Sequence, residues 1–588
     1  MKRLFTLLLI SFAALSCEMT DENIDDQLEN KNVVIFAEGT ELTVDVPSEQ
    51  TVLNYHFESA LDWEVKTDAE WLEIDPMSGK AGKDIKIQIK VLHNKDKEGR
   101  TGYADLTLSN NESYRITINQ AGEGDENDEN DENDVDIPNN QIWYTSIDGE
   151  IVEPYSGEYN GYADATTTFG VNIVSNTYVD GKGVIEFDGD VTTIGGFTFY
   201  YCDSLTSVTI PYSVTTIGYW AFYGCSSLTS ITIPDSVTTI GEDAFYGCSS
   251  LTSLYITDLA AWCNISFHDD TSNPLGYAAI YDYTEGNLYL NNKLVADLTI
   301  PDSVTEIGDY AFCGCGSLTS VTIPDSVTTI GRSAFYKCVS IKNIVIPDSV
   351  TTIGDHAFAY CSSLTSATIP NSVTTLGVAV FRKCSSLTSI TIPDSITTIG
   401  KSAFYECVSI KNIVIPNSVT SIGDFAFAYC RLLTSVNIPY SVVSIGDAAF
   451  KNCNNLRMFS GKFASDDGKS LIIDNTLNAF AIGCGAIEYA IPNGVNIIGN
   501  SVFCNCESLT SVTIPDSITT IGELVFYGCS SLTSVYCKPT TPPVGGSSMM
   551  FYNNASGREI YVPMESVEAY KSAYRWSDYA DAIVGYNF

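Results

Sequence analysis

At 588 residues the chain is too long for one ordinary globular core, so several units or an elongated array are expected. Its 72 Asp/Glu against 30 Lys/Arg give a formal net charge of -42. That balance argues against nucleic acid, which needs basic groups to displace counterions from phosphate, and against docking on anionic lipid headgroups.

In chain order, Lys2 and Arg3 precede the apolar run LFTLLLISFAAL, which ends at Ser16-Cys17. A basic start, a short apolar stretch and a small residue at the cut read as a signal peptide over residues 1–16, too short to span a bilayer. A Cys directly after the small residue resembles the lipobox of bacterial lipoproteins, with Ala14 where Leu is commoner. That resemblance implies a diacylglycerol on Cys17 and a membrane link through the lipid alone. Residues 17–32 form an acidic tether, and EMTDENIDD resembles the export signal of Bacteroidetes lipoproteins. The expected location is the outer membrane, lipid-anchored and facing the exterior.

Residues 33–122 alternate apolar and polar positions in short runs (ELTVDVP, TVLNYHF, DIKIQIKV, YADLTLS, YRITINQ) parted by PMSGKAGK and HNKDKEGR. This predicts an immunoglobulin-like β-sandwich. Trp63, Trp71-Leu72, Pro76, Ser78-Gly79, Gly82, Asn94, Arg100 and Ile118-Asn119-Gln120 resemble the BACON family (Bacteroidetes-associated, carbohydrate-binding, often N-terminal). The family implies a glycan or mucin reader or a spacer. Trp63 and Trp71 are either sugar-stacking rings or core. Residues 123–140 (GDENDENDENDVDIP within) hold nine carboxylates from Glu123 to Asp136 and read as an acidic, self-repelling linker.

After a lead-in over 141–190, one phrase dominates residues 191–537. Its prolines step by 23 (Pro211, Pro234; Pro301 to Pro439; Pro492, Pro515), and a Phe and a Cys recur in register twelve times, from Phe199/Cys202 to Phe526/Cys529. A fixed period in the twenties means a solenoid. Residues 256–300 and 457–491 break the count and read as variant coils, and 538–588, with the helix-like ESVEAYKSAYRWSDYADAIV, as a C-terminal cap. Within CSSLTSITIPDSVTTIGEDAFYG, Leu228, Ile231 and Ile233 face in and Ser230 and Thr232 face out. Pro234 ends the strand, Asp235-Ser236 make a turn, and Gly241 is expected at a tight corner. One such coil buries too little to meet the cost of ordering it, whereas stacked copies share a core. The phrase resembles the BspA-like leucine-rich repeat family, whose members are surface proteins that bind host matrix proteins or neighbouring cells. The whole chain is thus expected to be mostly β with short helical turns, a sandwich followed by a capped leucine-rich repeat solenoid.

No GxSxG, HExxH, P-loop or nucleotide-binding glycine pattern occurs, and no cofactor or metal is expected. The chain is read as non-catalytic. Of four His, His356 shares its slot with Tyr310, Phe425 and Ser333, as a variable surface position would. The one-per-coil Cys reads as a free buried thiol in preference to a disulfide, and Cys313-x-Cys315 and Cys504-x-Cys506 each include a member of that column.

The candidate binding face is the outward strand column: Ser207, Thr209, Ser230, Thr232, Ser320, Thr322, Ser366, Thr368, Ser389, Thr391, Ser511 and Thr513. Such a hydroxyl ladder either accepts polypeptide or glycan, or only keeps the sheet soluble. A second column after the Phe includes Tyr223, Tyr246, Tyr336 and Tyr405, contact residues or neighbours packed on one another. Asp-Ser-apolar at Ser236, Ser303, Ser326, Ser349, Ser395 and Ser517 resembles the O-glycosylation motif of Bacteroidetes, although turn chemistry alone also explains it. The expected function is an adhesin-like surface protein with a host matrix protein or neighbouring cell as partner. The alternative is a glycan- or mucin-binding lipoprotein of a polysaccharide-capture system, with the BACON-like domain as sugar reader.

Overall fold

The computed structural model describes residues 7–12, 33–36, 41–46, 51–59, 61–95, 99–110, 113–120, 137–154, 168–276 and 286–588. The chain divides into two units between Val135 and Asp136. Cys17 lies outside the described residues. No helix among those residues is long and apolar enough to cross a membrane.

The first unit holds two five-stranded sheets. Thr51–Ser59 pairs antiparallel with Gly82–Val91, and Arg100–Leu108 with Ser113–Gln120. Strand alternation turns Val65, Ala104, Leu106, Ile116 and Ile118 of one sheet toward Leu72, Ile85, Ile87 and Ile89 of the other, a sandwich core. Leu7–Phe12, within the run read as a leader, is a strand between Val33–Phe36 and Thr51–Ser59. Were the chain cleaved before Cys17, as the leader reading expects, that strand would be lost, so the two describe different forms of the chain. Trp63 is buried at 5 % exposure, its ring so close to Gly79 that a Cβ there would lie 2.6 Å away. It therefore has no face to offer a sugar, and that half of the Trp expectation is corrected to core. Trp71 is half-buried with the Arg100 guanidinium 4.4 Å from its ring. Arg100 also donates to the Leu92 carbonyl at 2.7 Å and to Gln120 at 2.9 Å.

The second unit is a mostly parallel solenoid. Ser207, Ser230 and Ser253 sit in register on successive strands, and Thr216 and Thr239 on a second, two-residue strand further round each coil. A third ladder runs through the turns: Trp220, Phe222 and Gly224 donate their amides to the carbonyls of Glu242, Ala244 and Tyr246. This ladder requires left-handed backbone at two places per coil, such as Ser333 (φ 52°) and Lys337 (φ 57°). The Gly of Ile-Gly is not one of them. A Cβ at Gly241 would meet the Tyr219 amide at 2.5 Å, so this glycine is required by the close approach of the previous coil and not by a corner.

Inside, the Phe rings stack face to face, Phe335 on Phe358 at 5.5 Å and Phe358 on Phe381 at 5.7 Å, in planes within 10° of parallel. Most column cysteines donate the thiol to the carbonyl of the preceding coil's Phe, as Cys248 does to Phe222 at 3.1 Å and Cys361 to Phe335 at 3.2 Å, while Cys202 turns to the Glu153 carbonyl. The described cysteines are free, and all but Cys202 and Cys484 are buried.

Both breaks in the period carry the array onward. In the first, Ser266–Phe267 continues the short ladder from Thr239–Ile240, and Trp262 of the helix Leu259–Cys263 donates to the Ala311 carbonyl at 2.7 Å. In the second, Thr476–Phe480 pairs with Ile497–Ile498. The lead-in extends the strand ladder through antiparallel Gln141–Ser146, Lys182–Phe187 and Ile173–Val179. At the far end the helical pattern of 565–584 is broken into the helix Val567–Ser572, a turn through Arg575 at φ 68°, and the strand Ile583–Tyr586. The break lets Tyr570 and Trp576 bury against Pro539 and Pro543, whose carbonyls they bond at 2.8 Å each.

Two outcomes follow from this core. Phe358→Ala, a large-to-small change in the middle of the stack, is expected to cost about 3–5 kcal/mol, measured by chemical denaturation. Burial pushes the thiols of Cys263, Cys315, Cys361 and Cys453 up to about 12, so at pH 8 they are protonated as well as shielded. Iodoacetamide mapping of the native protein should therefore modify the half-buried Cys484 first. Cys202 follows, less buried than the rest of its column but with a thiol that burial also raises, and the other column thiols react only after unfolding.

Candidate functional face

Parallel register makes the solenoid's surface a set of columns, so a side chain's role depends on its place in the coil. The Thr that opens most of these strands is engaged inside the array: Thr229 donates to the Thr206 carbonyl at 3.1 Å and Thr388 to that of Thr365 at 3.3 Å. The next outward positions are the open ones. Ser320, Thr322, Thr368, Ser389 and Thr391 are exposed, and Ser366 is half-buried, donating to Asn343 Oδ1 at 2.7 Å. Ser207, Thr209, Ser230, Thr232, Ser511 and Thr513 are half-buried, because the columns change character toward the ends. Thr209 lies opposite Trp143, Thr232 opposite Tyr255 and Thr513 opposite Tyr536.

From Ser320 to Asn437 the open face carries no ionised group in its two outward columns, and the exposed Asp297 of the coil before accepts from Ser320 at 2.5 Å. Two valines break its hydroxyl character. Val345 and Val414 stand 67 % and 78 % exposed, where other coils have Thr. Each follows Lys-Asn-Ile, at Lys342 and Lys411. Aromatic pairs bracket the stretch: Tyr255 stacks on Tyr289 at 4.6 Å and Tyr536 on Tyr561 at 4.8 Å. The sequence reading missed both pairs because one partner of each, Tyr289 and Tyr561, lies in the variant coil or the cap. Their signal was the alternation in LYITD and SVYC, which places Tyr255 and Tyr536 at the outward strand position.

The Tyr column after the Phe is partly self-satisfied. Tyr223 stacks on Tyr246 at 4.8 Å, whereas Tyr336 and Tyr405 lean on Tyr360 and Tyr429 of the next coils at 5.1 and 5.2 Å. All four rings are half-buried. Burial raises the phenol of Tyr405 to about 12, with Glu406 adding to the shift.

The serine candidates separate by coil position. Ser236, Ser326, Ser349, Ser395 and Ser517 are half-buried, each donating to a carbonyl of the preceding coil, as Ser349 does to Val327 at 2.7 Å. Ser303 follows the variant coil, is exposed and makes no such bond among the described residues. If the Asp-Ser-apolar turns are modified, site-resolved mass spectrometry of native protein should find Ser303 more occupied than the other five.

Against known proteins, a family described as the BspA type leucine rich repeat region matches in six copies over residues 182–270, 285–407, 374–464 and 476–579. A family described as the viral BACON domain matches residues 43–123. Among solved structures, the chain is similar to a leucine rich cell surface protein from Faecalibacterium prausnitzii, at 30% identity over 59% of this chain and 83% of that one, with a TM-score of 0.37. A leucine-rich repeat protein from Bacteroides ovatus matches at 25% identity over 71% and 98% of the two chains, with a TM-score of 0.36. One from Eubacterium ventriosum matches at 23% identity over 48% and 85%, with a TM-score of 0.34. No curated protein matches the chain.

Proposed function

Because the chain belongs to the BspA-type leucine-rich repeat family, a family of surface proteins whose repeats suggest protein binding, we propose that it is a non-catalytic, adhesin-like protein of the cell surface. In this reading a lipid on Cys17 holds it on the outer face of the outer membrane, and the solenoid contacts host matrix protein or a neighbouring cell. The observation that carries the reading is the open strand face from Ser320 to Asn437, uncharged and in register, with Val345 and Val414 exposed. An extended polypeptide laid along such a surface meets a repeating set of hydroxyl partners and two apolar contacts. Many weak contacts on one rigid support add through effective concentration, so affinity does not need a deep pocket. Leucine-rich repeat proteins are typically non-catalytic, and binding by a long face is the activity this architecture serves.

The glycan alternative draws on the BACON match over residues 43–123. It loses Trp63 to the core and keeps Trp71, half-buried beneath Arg100. It is the weaker reading.

The test is saturable binding of the protein to immobilised matrix proteins and to mucin, repeated with Val345→Asp and Val414→Asp together. Binding to a matrix protein that falls at least tenfold in the double variant, with the thermal melt unchanged, supports the strand-face reading. Matrix binding untouched by the pair, or binding to mucin alone, overturns it.

A further inference from the structure

The Tyr column is interrupted in mid-array. Phe312 is followed by Cys313, Phe358 by Ala359 and Phe381 by Arg382, where many coils have Tyr. Cys313 and Ala359 are small and fully buried. Around this interruption the longer side chains of adjoining coils enclose a hollow of about 200 Å³, walled by Tyr310, Tyr336 and Tyr360 and bordered by Arg332, His356 and Arg382.

Its charges are unpaired in a consistent direction. Among the described residues neither Arg332 nor Arg382 has a carboxylate at ion-pair distance, and Arg382 Nε is buried with no hydrogen-bond partner. A buried donor left without an acceptor is costly and rare. Two carboxylates of the same coils serve the array: Asp309 Oδ1 accepts the Arg332 amide, and Asp355 Oδ1 the Val378 amide, both at 2.6 Å. Asp270 also lines the hollow and is its one carboxylate, beside Arg332 and not at ion-pair distance from it. Burial and the neighbouring Asp269 hold it above the usual range, with Arg332 opposing. Burial lowers His356, so near neutrality it offers a ring hydrogen bond rather than a charge. From Arg332 to Lys462 the chain has eleven Lys/Arg against six Asp/Glu, a basic stretch inside a chain of net charge -42. An anion is thereby drawn to this part of the array.

The walls narrow the class of anion. The rings of Tyr336 and Tyr360 lie 5.1 Å apart, tilted 49° to each other. The guanidinium of Arg332 sits 5.7 Å from the Tyr310 ring and that of Arg382 4.5 Å from the Tyr405 ring, so aromatic contacts hold both forks. A volume below the roughly 300 Å³ at which drug-sized sites begin suits one ring and its substituents. Guanidinium forks match carboxylate geometry, and phenol faces accept the apolar side of a sugar ring.

We propose that this hollow binds a single carboxylate-bearing sugar residue, with its ring against Tyr336 and Tyr360 and its carboxylate on Arg382. Arg332 and His356 hydrogen-bond the remaining ring substituents. The site uses the turn columns and not the strand face, so it does not depend on the adhesin reading.

The array contains its own control. Residues 331–361 and 400–430 differ at only five positions, and in the second copy Lys401 stands for Arg332 and Phe425 for His356. His356→Phe therefore installs a residue that this coil geometry already accepts. The experiment is calorimetric titration of the full chain with sodium glucuronate, glucose, sodium sulfate and sodium glutamate. Expected is saturable glucuronate binding, with the other three at least tenfold weaker. Arg382→Ala and His356→Phe each weaken it at least tenfold with unchanged melting temperatures. No glucuronate binding, or binding unaltered by Arg382→Ala, overturns the proposal. Glucose binding as tightly means that the guanidiniums are not read, and sulfate or glutamate binding as tightly means a general anion or acidic-peptide site. Each of those outcomes overturns it as well.

Discussion

Everything in the solenoid depends on one constraint: a 23-residue coil cannot close its own core. Its Phe ring has an apolar partner only when another Phe lies above or below it, as Phe358 does between Phe335 and Phe381. Its Cys finds an acceptor only in the preceding coil, and so does its turn Ser. Each coil is therefore a template for the next, and a departure from register would strand several polar groups at once.

The surface follows from that interior. Because inward positions are held to Leu, Ile, Val, Phe and Cys, and the Thr and Ser next to the backbone bridge coils, few positions per coil remain free to vary. These are the outward strand pair, the residue after the Phe, the residue after the Ile-Gly pair and the two left-handed turn positions. The exposed Val345 and Val414 lie in the first set, while the Tyr and Arg groups of the mid-array hollow lie in the others. The ends obey the same logic with different means. Antiparallel strands close one end, and the buried Tyr570 and Trp576 close the other.

Much of this was legible along the chain. The 23-residue step, the inward Leu, Ile and Phe, the outward Ser and Thr, and the caps are local patterns, and alternation assigns them to faces without a neighbour in view. The BACON-like strands were legible for the same reason. What failed was whatever depended on a second coil or strand. Gly241 was expected at a corner and is instead required by the Tyr219 amide of the previous coil. The Asp-Ser turns looked equivalent, yet Ser349 reaches a carbonyl 22 residues earlier and Ser303 makes no such bond. Trp63 could be read as ligand or core until Gly79 was found against its ring.

By itself the sequence determined that this protein is an array with a repeated inside and a repeated outside, because period and alternation are properties of neighbours in the chain. Only the tertiary structure decided which outward residues act together. Arg332 and Arg382 are fifty residues apart, Tyr255 and Tyr289 thirty-four, and neither pair shares a motif. The stacking of coils in register brings each pair to one place, and that register is set by the Phe column and its hydrogen-bonded shell rather than by any residue on the surface it organises.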